Sequence, residues 1–306
     1  MISAIICTYN REKYITECLE HLRIACQNNS TACQNGRLEV LVVDNNSTDS
    51  TASLIKGYLA SHPDFPGRYV LESAQGLSHA RNRGIEEAKG DILVFLDDDS
   101  MVAPDYLEQL LKALDSHPDA GAFGGRITPI FEDGKTPRWL CRWSLSWVSG
   151  LDMGSKTKEF PKNKYPIGAN MGFRRSVLQQ TGGFNPELGR SGKNLMGGEE
   201  KDLFQRVKAT GQKIIYLPEL KVEHVIPQSR TTLDYIRRFG DGVGRSERIR
   251  SKTEGTYAKR LLSETVKWCA TLVLLFAYCL ILRPACGATL VLFRAHVTRG
   301  LLSEER

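Results

Sequence analysis

The densest chemistry in this 306-residue chain is a run of three carboxylates, Asp97, Asp98 and Asp99, followed by Ser100. Three carboxylates at one point repel one another and are costly to hold together. A divalent cation relieves that cost. Hard oxygen ligands suit Mg²⁺ or Mn²⁺, which keep several waters and take substrate phosphates as further ligands. Taken alone, the triplet admits a plainer reading, a solvated acidic turn that caps the helix after Pro104. Three more features carry chemistry: Asp44 at the head of DNNSTDST, the pair Glu199-Glu200 behind a Gly-rich lead at 194–198, and the lone His224.

The elements that must position these groups can be read from periodicity. Residues 92–96 (ILVFL) are apolar without a break, as in a strand buried on both faces, and Asp97 follows at its carboxyl end. Residues 2–7 form a similar strand that breaks at Thr8-Tyr9-Asn10-Arg11, and residues 38–43 form another that ends at Asp44. A fourth lies at 68–71. Helices are expected from 104 to about 116, over 78–89, after the turn at 45–49, and up to about Cys26 with Tyr14, Cys18, Leu19 and Leu22 on one face. This alternation predicts an α/β fold of parallel strands joined by crossovers. Such sheets bind ligands at the carboxyl ends of their strands, where Thr8, Asp44 and Asp97 would meet. Further along, 120–130 reads as a strand pair with glycines at 121, 124 and 125, and 176–182 as a short helix. A helix follows Glu200 to about 210, and two last short strands are expected at 214–217 and 221–225. Trp139, Trp143 and Trp147, spaced by four, would share a helix face, as core or interface packing or as a platform for an acceptor sugar.

Charge divides the chain. Residues 226–306 hold 14 Lys+Arg against 7 Asp+Glu, whereas 1–225 hold 27 against 28. The basic character belongs to the tail and points to an anionic surface there rather than to nucleic acid. The eight cysteines show no metal-ligand spacing. Cys26 and Cys33 flank a polar loop and could pair, but no charged leader precedes the first strand, so no signal peptide and a reducing compartment are expected.

Six segments, CTYNR (7–11), DNNSTDST (44–51), GLSHARNRG (76–84), FLDDDS (95–100), GANMGFRR (168–175) and GGEEKDL (197–203), resemble in order and spacing the family 2 glycosyltransferases of GT-A fold. That resemblance covers residues 1–225 and implies a Rossmann-like catalytic domain. Such a domain moves a sugar from a nucleotide diphosphate, most often a UDP-sugar, to an acceptor hydroxyl with inversion. It implies that Thr8 and Arg11 lie by the nucleotide, that Asp44 reads the base, and that Arg81 sits near ribose and diphosphate. Asp97 takes the ribose side and the metal, and Asp99 the metal, Mn²⁺ or Mg²⁺. Tyr9, Asn46, Ser78 and Asp98 belong to the same nucleotide site. Glu200, or Glu199 beside it, is the general base, with Asp202 ordering its loop. Gly168 and Asn170 face the sugars, His224 completes the metal shell, and Arg230 reaches the leaving diphosphate.

Residues 226–306 are expected to form a basic, apolar helical extension. Its apolar runs, 268–282 and 285–293, are separated by Arg283-Pro284. Neither reaches the length of about 20 residues needed to span a bilayer. An interfacial hairpin at the cytoplasmic face is expected, beside a glycan or lipid-linked acceptor, with a soluble core or a homo-oligomer interface as the alternative. Other function classes fit less well. A sugar-nucleotide-binding protein without turnover would need a dead base site, yet both Glu199 and Glu200 are acids. A phosphohydrolase with a strand-end aspartate nucleophile expects D-x-D near the first strand. A nucleotidyltransferase expects a Gly-rich basic signature where this chain has CTYNR.

Overall fold

Apolar runs that stop at polar turns become the centre of one sheet. In the computed structural model, which describes residues 1–28, 36–189 and 198–303, nine strands form. They are β1 (Ile2–Thr8), β2 (Leu38–Asp44), β3 (Gly67–Leu71), β4 (Ile92–Asp97), β5 (Ser100–Val102), β6 (Ala120–Phe131), β7 (Lys158–Glu159), β8 (Met171–Arg174) and β9 (Lys213–Ile226). Their spatial order is β3-β2-β1-β4-β8-β6-β9-β5, with β7 also beside β9. The first four strands in that order run parallel, and β8 joins β4 antiparallel.

The described residues fall into two compact units. The first holds 1–28, 36–130, 149–187 and 199–225. Its helices are α1 (Ile15–Asn28), α2 (Thr51–Ser61), α3 (Leu77–Glu87), α4 (Tyr106–Ser116), α5 (Arg175–Thr181) and α6 (Glu199–Ala209). Alternate side chains of the central strands leave opposite faces. Ile6, Val42, Val94 and Leu96 pack with Cys18, Leu22 and Leu110 on one side. Ile5, Val43, Leu93 and Phe95 pack with Ala80, Phe173, Phe184 and Phe204 on the other. Phe95 meets Phe173 and Phe184 edge to face at centroid distances of 6.1 and 5.4 Å. Truncating a ring so enclosed costs about 3–5 kcal/mol.

Two expectations are corrected in this unit. Residues 120–130 are not a strand pair but one 12-residue strand, β6. Its glycines are there for clearance rather than a turn. A Cβ at Gly124 would lie 2.5 Å from Pro166, and one at Gly125 2.0 Å from the Leu220 carbonyl. The two short strands expected near 214 and 221 are likewise one, β9. Pro218 and Glu219 lie between the segment of β9 that pairs with β7 and the segment that pairs with β5, so the strand passes through them.

The second unit holds 131–148, 188–189, 198 and 226–303, with helices α7 (Leu233–Thr253), α8 (Tyr257–Leu280) and α9 (Pro284–Leu302). Trp139 and Trp147 are buried with Tyr235, Ile236 and Leu290, whereas Trp143 is exposed. The three tryptophans therefore do not line a helix face; only Leu145–Val148 makes a short helical turn. α7 and α9 cross closely, because a Cβ at Gly244 would meet the Val297 carbonyl at 2.2 Å. Buried ions join the helices: Arg260 contacts Glu264 at 2.7 Å and Glu247 at 2.9 Å. The tail departs from expectation in one respect. α8 runs unbroken for 24 residues and is long and apolar enough to cross a membrane by length and composition. The break falls where expected, at Leu282 (φ 56°) and Arg283, with Pro284 opening α9. Cys33, with its suggested pairing to Cys26, and the Gly-rich lead at 194–197 lie outside the described residues.

Candidate active site

Register decides which strand ends meet. Thr8 lies opposite Asp44 and Cys7 opposite Asp97, so β1 carries β2 and β4 to a common edge. After the turn at Asp98-Asp99 the chain forms β5, whose Ser100 lies opposite His224 of β9. This pairing across more than 120 residues brings His224 to the acidic turn. One ligand atom from each of Asp97, Asp99 and His224 lies within 4.8 Å of the others. His224 is fully buried, and its Nε2 is 2.8 Å from Asp99 Oδ1 and 3.7 Å from Asp97 Oδ2. Neither ring nitrogen has hydrogen-bond geometry to any partner among the described residues. An imidazole and two carboxylates crowded together without mutual hydrogen bonds suit a shared divalent cation, and N and O donors suit Mn²⁺ or Mg²⁺.

The acidic triplet is not a solvated turn, since Asp98 and Asp99 are buried. Arg11 offsets their charge: Nε is 3.3 Å from Asp98 Oδ1 and Nη2 3.7 Å from Asp99 Oδ2. Burial nevertheless pushes Asp98 up to about 7, against the pull of Arg11. Thr8 is buried beside Asp98, and Tyr9 next to it is exposed.

A second cluster adjoins the first through Asp97. The buried guanidinium of Arg81, on α3, donates from Nη1 to Glu199 Oε1 and from Nη2 to Glu200 Oε1, both at 3.0 Å. Nη2 also lies 3.8 Å from Asp97 Oδ1. Glu199 and Glu200 open α6, where the helix dipole favours acids. Burial is the largest influence on Glu200 and pushes it up to about 7, although Arg81 pulls the other way. Glu199 Oε2 makes no hydrogen bond among the described residues. Gly168 supplies the clearance: a Cβ there would lie 2.1 Å from Arg81 Nη2 and 2.3 Å from Glu200 Oε1.

Most of the remaining candidates have their own partners. Asp44 is buried and spends its oxygens inside the fold, accepting from Tyr69 Oη at 2.8 Å and the Ser47 amide at 3.0 Å. Asn46 is exposed with φ 59°, and Ser78 is buried in the first turn of α3. Asn170 is also committed internally. Its Oδ1 accepts from Tyr106 Oη at 2.7 Å, and its Nδ2 donates to the Leu220 carbonyl at 2.8 Å. Asp202 pairs with Arg206 at 2.7 Å within α6.

Four positioning residues escaped sequence reasoning. Asn45 ties the strand-end loops together, donating to the Glu72 and Ala74 carbonyls and accepting from the Gly76 amide. Its place inside DNNSTDST was the available signal. Tyr69 and Tyr106 hold Asp44 and Asn170 through contacts 25 and 64 residues long, and Phe184 stacks under Arg81 at 5.1 Å. No local pattern marks those three.

Comparison with known proteins identifies the family. The profile of "Glycosyl transferase family 2" matches residues 3–182. The glucosyl-dolichyl phosphate glucuronosyltransferase of Haloferax volcanii is 27% identical over 80% of this chain and 76% of its own length. The succinoglycan biosynthesis protein ExoM of Rhizobium meliloti is 31% identical over 82% and 75%. Among solved structures, the mannosyltransferase PcManGT from Pyrobaculum calidifontis, in complex with GDP-Man and Mn²⁺, aligns with a TM-score of 0.61. It covers 99% of this chain and 88% of that one at 19% identity. TarS 1-349 of S. aureus, in complex with UDP, aligns at 0.55 over 97% and 90% at 17% identity. The mixed sheet with flanking helices is the GT-A fold of these neighbours. The chain belongs to glycosyl transferase family 2 and is a glycosyltransferase.

Proposed function

We propose that this enzyme transfers a sugar with inversion from a UDP-sugar to a hydroxyl of a glycan or lipid-linked acceptor at the cytoplasmic face of a membrane. The observation that carries the reading is the Arg81 bridge. It holds Glu200 beside Asp97, and Asp97 also belongs to the group formed with Asp99 and His224. That arrangement would set a base beside a diphosphate site, as a single displacement needs. Glu200 takes the acceptor proton at a carboxylate oxygen. The acceptor oxygen then bonds to the anomeric carbon as the bond from that carbon to the diphosphate oxygen breaks. A carboxylate near pH 7 in acidity is suited to that exchange. Arg81 orients Glu200, and Arg11 with Asp98 shapes the turn that carries the ligand set.

Asp97, Asp99 and His224 would hold Mn²⁺ or Mg²⁺. The ion would neutralise charge developing on the departing diphosphate. Thr8, Asp44 and the adjoining loop would receive the nucleoside. The uridine preference draws support from the UDP complex of TarS, and the lipid-linked acceptor from the dolichyl phosphate relative.

A donor screen tests the reading. Thermal melting is followed with Mn²⁺ and a panel of UDP-, GDP- and TDP-sugars, because a ligand that binds the folded state raises its apparent stability. Transfer is then assayed with the donor that stabilises most. A shift with a UDP-sugar and glycosylated product with inverted anomeric configuration support the proposal. Retained configuration, or release of pyrophosphate with nucleotidyl transfer, overturns it.

A further inference from the structure

We infer that the second unit docks on a bilayer carrying anionic headgroups, using the tip of the α8–α9 hairpin together with the loop that carries Arg142 and Trp143. This specifies the membrane contact proposed above and stands independently of the catalytic assignment.

Exposed apolar side chains run along α8 from Leu262 (70% exposed) and Val266 (65%) to the hairpin tip. Val273, Phe276, Leu280 and Ile281 are 60–68% exposed and Leu282 is 89% exposed. At about 100° per residue, the exposed positions of the last turns of α8 (272, 273, 276, 277, 279 and 280) cover an arc of roughly 160°. A seam for one partner helix is narrower than that. An arc this wide, ending in an apolar turn, suits a fluid solvent of acyl chains.

Charge points the same way. Residues 265–303 contain no Asp or Glu, but they include Lys267, Arg283, Arg294 and Arg299. Arg283 and Arg299 are exposed. Arg294 pairs with Glu264 and Arg299 with Asp241, so the exposed cations at the tip that complement anionic lipid are Arg283 and Arg142.

The loop supplies the second observation. Arg283 Nη2 donates to the Leu140 carbonyl at 3.0 Å, which fixes residues 138–143 beside the hairpin tip. There Trp143 is 55% exposed, and the Arg142 guanidinium lies over its ring at 5.9 Å. An exposed Trp next to an Arg is the pair that settles at the headgroup level, with the ring at the boundary and the cation among phosphates. Trp139 and Trp147, by contrast, pack in the interior of this unit.

The test uses the full chain and vesicle flotation. Phosphatidylcholine vesicles are compared with vesicles holding about 30 mol% phosphatidylglycerol, an anionic headgroup. The protein should float with the anionic vesicles and bind them about tenfold more tightly than the neutral ones. The double variant Trp143→Ala, Leu282→Asp should lose about tenfold in affinity. Its unchanged melting shift with donor nucleotide would show that the fold is intact. Dibromo-lipid should quench wild-type tryptophan fluorescence, and Trp143→Phe should lose that quenching. Wild-type protein that stays at the bottom of the gradient overturns the inference. So does a dimer that the double variant converts to monomer while vesicle binding is unaffected. Absence of transfer activity leaves the flotation result unchanged, so the two proposals fail separately.

Discussion

Replacing Glu200 with glutamine should slow transfer sharply and, at alkaline pH, make the fold more stable. Burial holds the Glu200 carboxyl up to about 7 in the folded state, against an ordinary value of 4.5. Between those values the folded protein keeps a proton that the unfolded chain has released. Raising the pH through that window therefore favours unfolding, and the full cost applies above about pH 7. At 1.36 kcal/mol per unit the cost is about 3 kcal/mol. Glutamine carries no charge at any pH, so the variant avoids it. Urea melts in chelator should show no gain at pH 4 and a gain approaching about 3 kcal/mol at pH 8. Arg81 would keep Glu199 at 3.0 Å as a partner, so the substitution strands no buried cation. Transfer should fall about 10²- to 10⁴-fold, the range of a lost general base. Wild-type kcat/KM should decline about tenfold per pH unit below 7, and the residual rate of the variant should be flat there. A variant less stable than wild type at pH 8, with near-normal transfer, would refute both the electrostatic argument and the base assignment.

Three further outcomes are expected. Asp99→Asn and His224→Ala should each weaken Mn²⁺ binding, read by calorimetry, by at least the about 10- to 100-fold that outer-shell changes cost in metal sites. Gly168→Ala places a methyl 2.1 Å from Arg81 Nη2 and must part it from Glu200. A displacement of about 1 Å should lower kcat about 100-fold with the donor KM little changed, as steady-state kinetics would show. Tyr106→Phe removes the donor to the buried Asn170 Oδ1 and should cost about 1–3 kcal/mol in a denaturant melt.

The strand-end chemistry was readable because it is local. An apolar run such as ILVFL must be buried on both faces, and a carboxylate directly after it must stand at the edge of the sheet. That logic located Asp44 and Asp97, and the order of six short segments carried the resemblance to the family. Local reading erred where clearance looks like a turn. Gly124 and Gly125 allow Pro166 and the Leu220 carbonyl to approach β6, so the glycines mark contact and not chain reversal. It erred again at the tryptophans, whose spacing by four carried no helix.

Composition and periodicity thus determined the central parallel strands, their acidic edge and the basic, apolar tail, because each follows from how one segment partitions between water and core. Tertiary structure alone decided which groups meet. Arg81 holds Glu199 across 118 residues, and β5 pairing with β9 brings His224 to Asp99. The Arg283 contact with Leu140 sets an exposed tryptophan beside the hairpin tip. These are matters of strand register and helix packing summed over the whole chain, and no window of neighbouring residues contains them.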